Sequence, residues 1–157
     1  MKHKNTYPLP LALLFALFST ALSALDAGIA HIVYATPEKT YLEINIEIAA
    51  GSVTFKQVDS IHLQAGVETL ILVKQGDKVV AYEKYVLTSP RVGIPQDLLD
   101  VKRMFLPPGD YTLEVSLTDL HDAENTRSFV KPLKVDLGNA AYLSDLLLLR
   151  SYRPDES

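Results

Sequence analysis

Tyr41-Leu42-Glu43-Ile44-Asn45-Ile46-Glu47-Ile48 alternates without a break. Leu42, Ile44, Ile46 and Ile48 fall on one face, and Tyr41, Glu43, Asn45 and Glu47 on the other. A period of two, rich in β-branched residues, marks a half-buried antiparallel strand. A slip of one residue would carry four aliphatic side chains into water, so the pairing register of this stretch is strongly set. One such strand needs partners on both sides and a second layer over its apolar face.

The flanking sequence supplies them. Residues 29–35 form a shorter apolar run that ends at Thr36-Pro37. Gly51 breaks the pattern, and residues 52–58 resume it. Residues 67–74 and 79–87 read as a hairpin around Gln75-Gly76-Asp77-Lys78, where glycine supplies the positive φ of a tight turn. Both faces of the return strand mix polar and apolar groups, which places it near a sheet edge. A loop at 89–99 holds Pro90, Gly93 and Pro95, with one helical turn as a candidate at 96–99. A short strand follows at 101–106. Residues 111–118 alternate again, with Tyr111, Leu113, Val115 and Leu117 inward. A polar turn at 119–125 leads to a closing strand at 127–137, where Pro132 lacks a ladder donor and so predicts an edge or a bulge.

About eight short strands and no convincing helix argue for an all-β fold, an immunoglobulin- or fibronectin-III-like antiparallel β-sandwich. Pro108-Gly109-Asp110-Tyr111 strengthens this reading. In such sandwiches a tyrosine near the start of the penultimate strand bonds back to the preceding corner. Tyr111, with Gly109 before it, is placed for that structural role.

The first residues predict an address. Lys2 and Lys4 precede an apolar stretch at 11–18 and a small-x-small step at Ala21-Leu22-Ser23. This is the order of a cleavable secretory signal peptide. The apolar run falls well short of the roughly 20 residues that cross a bilayer, so no stable membrane span is expected. Cleavage after Ser23 divides the 157-residue chain into a signal peptide (1–23), a sandwich domain (24–138), and an apolar segment with a polar tail or linker (139–157). Without its two leader lysines the chain keeps 13 basic and 19 acidic side chains, a net charge of −6. That surface repels nucleic acid and offers no polybasic patch for a membrane. There is no cysteine. The fold must therefore hold by packing alone, and thiol catalysis, cysteine-bound metal and an acylated-cysteine anchor are excluded.

Several of these stretches together resemble the amino-terminal part of the GWxTD-domain proteins, exported proteins of Bacteroidota-like bacteria. The residues are Tyr41-Leu42-Glu43-Ile44, Leu106-Pro107-Pro108-Gly109-Asp110-Tyr111 ahead of Leu113 and Val115, Leu117-Thr118-Asp119, and Leu143-Ser144-Asp145-Leu146. The chain has no tryptophan and hence no Gly-Trp-x-Thr-Asp signature, so the resemblance implies a front domain alone or a shortened product. It also implies a sandwich architecture and a location in the periplasm or on the cell surface of a Gram-negative-type bacterium.

No catalytic constellation stands out. There is no Gly-x-Ser-x-Gly elbow, and Ser60 and Ser116 read as strand residues without a partner base. His31, His62 and His121 have neither i,i+2 nor i,i+4 spacing for zinc. His31 reads as a structural histidine and His62 as one on an outward strand face. Glu43 and Glu47 read as an ordinary wet surface around Asn45. The chain is therefore expected not to be an enzyme. Asp119, Asp122 and Glu124, on the 119–125 turn with Asn125, offer hard oxygens that suit calcium, against the plainer reading of a turn in which Asp119 caps its own backbone. Tyr41, Tyr82, Tyr85, Tyr142 and Tyr152 suit a binding face or cross-strand packing. The 140–149 segment is strongly apolar and reads as either strand or helix. Its Tyr142, Leu146, Leu147 and Leu149 are the expected contact surface for a protein partner or a second domain, because such a patch is seldom left in water.

Overall fold

The computed structural model describes residues 25–35 and 39–136. In chain order these form β1 (Ala27–Ala35), β2 (Thr40–Ile48), a single 3-10 turn (Ala50–Ser52), β3 (Lys56–Gln57), β4 (Leu63–Gln64), β5 (Gly66–Gln75), β6 (Lys78–Thr88), β7 (Leu98–Phe105), β8 (Gly109–Asp119) and β9 (Asp122–Val135). One sheet has the order β1-β2-β7, the other β6-β5-β8-β9, and β3-β4 is a small accessory ribbon. Every pairing is antiparallel. The three- and four-stranded sheets pack face to face as a β-sandwich.

The alternation of β2 decides which face meets the other sheet. Leu42, Ile44, Ile46 and Ile48 are all buried, and they share one core cluster with Val67, Ile71 and Val73 of β5 and Leu113, Val115 and Leu117 of β8. Burying each such side chain stabilises the fold by about 2 kcal/mol before entropy is charged against it. β6 and β9 are the edges of their sheet, as the mixed faces of 79–87 and the proline of β9 predicted. Pro132 lies opposite Thr112, where an edge strand needs no second donor. Gly76 takes φ +59 at the first central position of a two-residue turn between Gln75 and Lys78, as a type II′ turn requires.

Some boundaries differ from expectation. No helical turn forms at 96–99: Leu98 and Leu99 already pair with Ile48 and Glu47 as the start of β7. The stretch 52–58 yields only the end of a 3-10 turn and the two residues of β3, because Val53 drops into the core while its neighbours stay outside. The polar turn is much tighter than 119–125. Asp119 pairs with Asp122, so Glu124 and Asn125 belong to β9. Ser60 and His62 lie in a loop, not on strands.

The two open edges of the sandwich are closed by polar side chains. Tyr85 of β6 donates to Asp100 of β7 at 2.5 Å, and Lys102 Nζ sits 4.0 Å from the Tyr85 ring centre. On the opposite edge Lys131 of β9 donates to the Ile29 carbonyl of β1 at 2.8 Å. Inward-pointing charges of this kind also discourage further strand addition at an edge.

At one end, Tyr111 Oη donates to the Pro107 carbonyl at 2.9 Å, which makes the tyrosine corner. A Cβ at Gly109 would lie 3.2 Å from that hydroxyl, so any larger residue would press on the ring by a few tenths of an ångström. Thr40 Oγ1 donates to the Leu106 carbonyl beside it. Tyr111→Phe removes one partly buried hydrogen bond and should lower stability by about 1 kcal/mol in urea unfolding. An unchanged midpoint would show that the corner bond contributes nothing.

Candidate binding end of the sandwich

The end opposite the tyrosine corner gathers the connection from β2 to β5 (49–65), the connection from β6 to β7 (89–97), and the tight turn between β8 and β9. These segments are bound to one another. Asp119, almost wholly buried, accepts the Thr54 amide on Oδ2 at 2.7 Å and the His121 amide on Oδ1 at 2.8 Å. The second bond is the Asx turn that the plainer reading of this residue described. Asn125 Nδ2 donates to the Ser52 carbonyl at 2.8 Å and reaches Asp119 Oδ2 at 3.4 Å. Asp97 Oδ1 accepts the Ala50 amide at 2.8 Å. Ser89 Oγ accepts the Ala65 amide at 3.0 Å, and Leu63 bridges to Val92.

On this fixed frame sit large apolar side chains. Ile61 is 71% exposed and Ile94 77%, with Val58 and Leu120 also exposed. A Cβ at Gly93, next to Ile94, would lie 3.8 Å from the Ile61 carbonyl oxygen, so the two loop tips are neighbours. Between the loops is a shallow hollow of about 170 Å³ lined by Val58, Gln64, Ala65, Gly66, Thr88, Leu120 and His121. Under the Ile61 tip, Asp59 accepts from His62 Nδ1 at 2.8 Å and from the Ile61 and His62 amides at 2.9 Å. The Ile61 amide and then the imidazole hold its carboxyl below the usual carboxylate range.

Three of the oxygens expected for calcium already accept backbone amides. Both carboxylate oxygens of Asp119 are engaged by amides, Asp122 Oδ1 accepts the Glu124 amide at 3.2 Å, and Asp122 and Glu124 point into solvent. Among the described residues no three His, Asp or Glu side chains are grouped to hold a metal. A second hollow, about 260 Å³, has Asp26, Glu47 and Asp97 on its rim, but Asp97 is already committed to Ala50. Tyr142, Leu146, Leu147 and Leu149 lie outside the described residues. Among the described residues no helix is long and apolar enough to cross a membrane.

The tyrosines divide. Tyr41 stacks on its cross-strand partner Tyr34 at 4.9 Å and meets Phe105 edge-on at 6.4 Å, Tyr85 closes an edge, and Tyr82 is exposed. Glu43 is not part of a wet surface. It is buried and bound to Arg103 at 2.8 Å. Sequence reading missed the Ile61 and Ile94 tips. The available signal was an aliphatic residue set between turn formers, in Asp59-Ser60-Ile61 and Gly93-Ile94-Pro95.

Burial raises the Asp119 carboxyl, but the amides of His121 and Thr54, the Thr54 hydroxyl and Asn125 outweigh it and hold the group below its ordinary 3.8. A depressed folded pKa gives stability that is full above the unfolded value and is lost as pH falls from there through the folded value. Asp119→Ala should cost about 3 kcal/mol at neutral pH by orphaning two amides. It should also flatten the loss of stability that the parent shows below pH 3.8. An equal acid slope in both proteins would contradict this. Compared with protein-family models, curated proteins and solved structures, the chain gives no match.

Proposed function

We propose that this chain is an exported, non-enzymatic β-sandwich module of the cell envelope. It makes protein contacts through the loop end, or holds a neighbouring module at a fixed distance. The observation that carries this reading is the pair Ile61 and Ile94, more than two thirds exposed on loops held by the Asp59 carboxylate, the Leu63–Val92 bridge and the Ser89 hydroxyl. A contact made by pre-ordered apolar tips loses little entropy on binding. Loops at a sandwich end are also where rigid frames of this type present binding residues. The leader-like residues 1–23, the excess of acidic side chains and the resemblance to GWxTD-domain proteins support the envelope address.

A photo-reactive amino acid at position 61 or 94 should give discrete cross-linked products in the producing cell, and one at Ser128 should not. The protein recovered from the envelope should begin at Ala24. Equal labelling at all three positions, or unprocessed chain in the cytoplasm, would overturn the reading. The runner-up is a calcium-dependent ligand module built on the 119–125 turn. Because the Asp119 oxygens are already engaged, calorimetry with calcium should give no heat, and a chelator should not move the melting point. Heat of binding, together with a chelator-dependent melt, would favour the runner-up instead.

A further inference from the structure

Among the described residues β7 has one strand neighbour, β2, and its other side is open. The register settles which backbone groups that side presents. Leu106, one step past β7, donates its amide to the Thr40 carbonyl, and the two continue the pairing of Phe105 with Tyr41. Bonded and non-bonded pairs alternate along an antiparallel ladder. Leu98, Asp100, Lys102 and Met104 therefore bond to β2, while Leu99, Val101, Arg103 and Phe105 turn their amides and carbonyls to the open side. The bond from the Ala49 amide to the Asp26 carbonyl agrees, because it gives the odd-numbered residues of β2 to β1 and leaves the even ones for β7.

The same four residues set their side chains on the outward face, opposite Glu47, Asn45, Glu43 and Tyr41. Leu99 and Phe105 are each 71% exposed there, and Val101 is 50% exposed. Between them Arg103 gives its Nε to Glu43 at 2.8 Å. The Glu43 side chain is 8% exposed and that of Arg103 66%. The buried carboxylate thus orients the guanidinium through one nitrogen and leaves the two terminal nitrogens for a second acid. Two of the other edges carry blocks: Lys131 takes the Ile29 carbonyl on β1, and Pro132 withdraws a donor on β9.

We propose that β7 is a docking edge for an extended acidic segment of another protein, which joins the three-stranded sheet as its fourth strand. Main-chain bonds to Leu99, Val101, Arg103 and Phe105 give the affinity, and alternate side chains select the segment. Apolar residues fit opposite Leu99, Val101 and Phe105, and a carboxylate fits opposite Arg103. Asp100 and Lys102 point inward at this edge and refuse a strand that is apolar on both faces. They admit one with an acid opposite Lys102 and a hydroxyl opposite Asp100. The partner is therefore acidic at two neighbouring positions, matching the two basic residues of β7. This edge runs along the side of the sandwich, apart from the Ile61 and Ile94 tips, and does not depend on the loop-end reading.

The probe is an end-blocked synthetic peptide, Val-Thr-Glu-Asp-Val-Thr-Val, whose residues fall in turn opposite Phe105 back to Leu99. Added to the full chain, it should slow amide exchange at Leu99, Val101, Arg103 and Phe105 about fivefold or more, and leave the residues between them as they were. A peptide with lysine in place of glutamate should bind about tenfold more weakly or worse, as should one N-methylated at its valines and glutamate. Val101→Pro removes an edge amide without touching the β2 ladder, and it should abolish binding. The N-methylated peptide keeps the test sharp if that variant does not fold. Absence of alternate protection, equal binding of the N-methylated peptide, or undiminished binding by a folded Val101→Pro would each overturn the docking edge. A dimer of the chain that the peptide dissolves would assign the edge to a second copy instead, which also overturns it.

Discussion

Everything in this molecule is arranged around the burial of alternate aliphatics of β2 against β5 and β8 across the gap between two sheets. Leu42, Ile44, Ile46 and Ile48 commit one face of the three-stranded sheet, and Val67, Ile71, Val73, Leu113, Val115 and Leu117 commit the facing side of the other. No disulfide ties the layers, since the chain has no cysteine. Side chains that would be poor core formers do the closing at the edges. Tyr85 with Asp100, and Lys131 with the Ile29 carbonyl, link the sheets where the apolar layer runs out. Burial pushes the Tyr85 hydroxyl pKa up, and the Asp100 carboxylate pushes it further, so the hydroxyl keeps the proton it donates.

The two ends follow from this frame and differ in kind. At one, Tyr111 and Thr40 bond to carbonyls of the 106–107 stretch and fix the entry into β8. At the other, Asp119 and Asn125 reach from the β8–β9 hairpin to Thr54 and Ser52 and pin a long connection that would otherwise be loose. The acidic turn thus spends its best ligand on structure. On the same end a pair of apolar loop tips, Ile61 and Ile94, is held out in water.

Strands with strict alternation were legible, because an inward aliphatic every second residue has one physical reading. β2 and β8 and their inward faces follow from it, β5 follows from its hairpin turn, and Tyr111 follows from the Pro-Gly step before it. Segments where short range does not decide were not legible. Residues 52–58 alternate weakly, and their path is set by Asp119 and Asn125, more than 60 residues away. Leu98 and Leu99 carry no strand signal of their own and extend because β2 offers an open edge. Glu43 reads as a wet residue from its period, yet it is buried and Arg103 pairs with it. The loop tips were invisible because exposure is a property of the assembled end, not of the tripeptides that carry Ile61 and Ile94.

The central claim is that β2 packs face to face on β5 and β8. Methyl-labelled protein tests it directly by nuclear Overhauser contacts. The account predicts contacts between methyls of Leu42, Ile44 and Ile46 and those of Ile71, Val73 and Val115, across the gap. Contacts confined to strands of the same sheet, with none between the two layers, would contradict it.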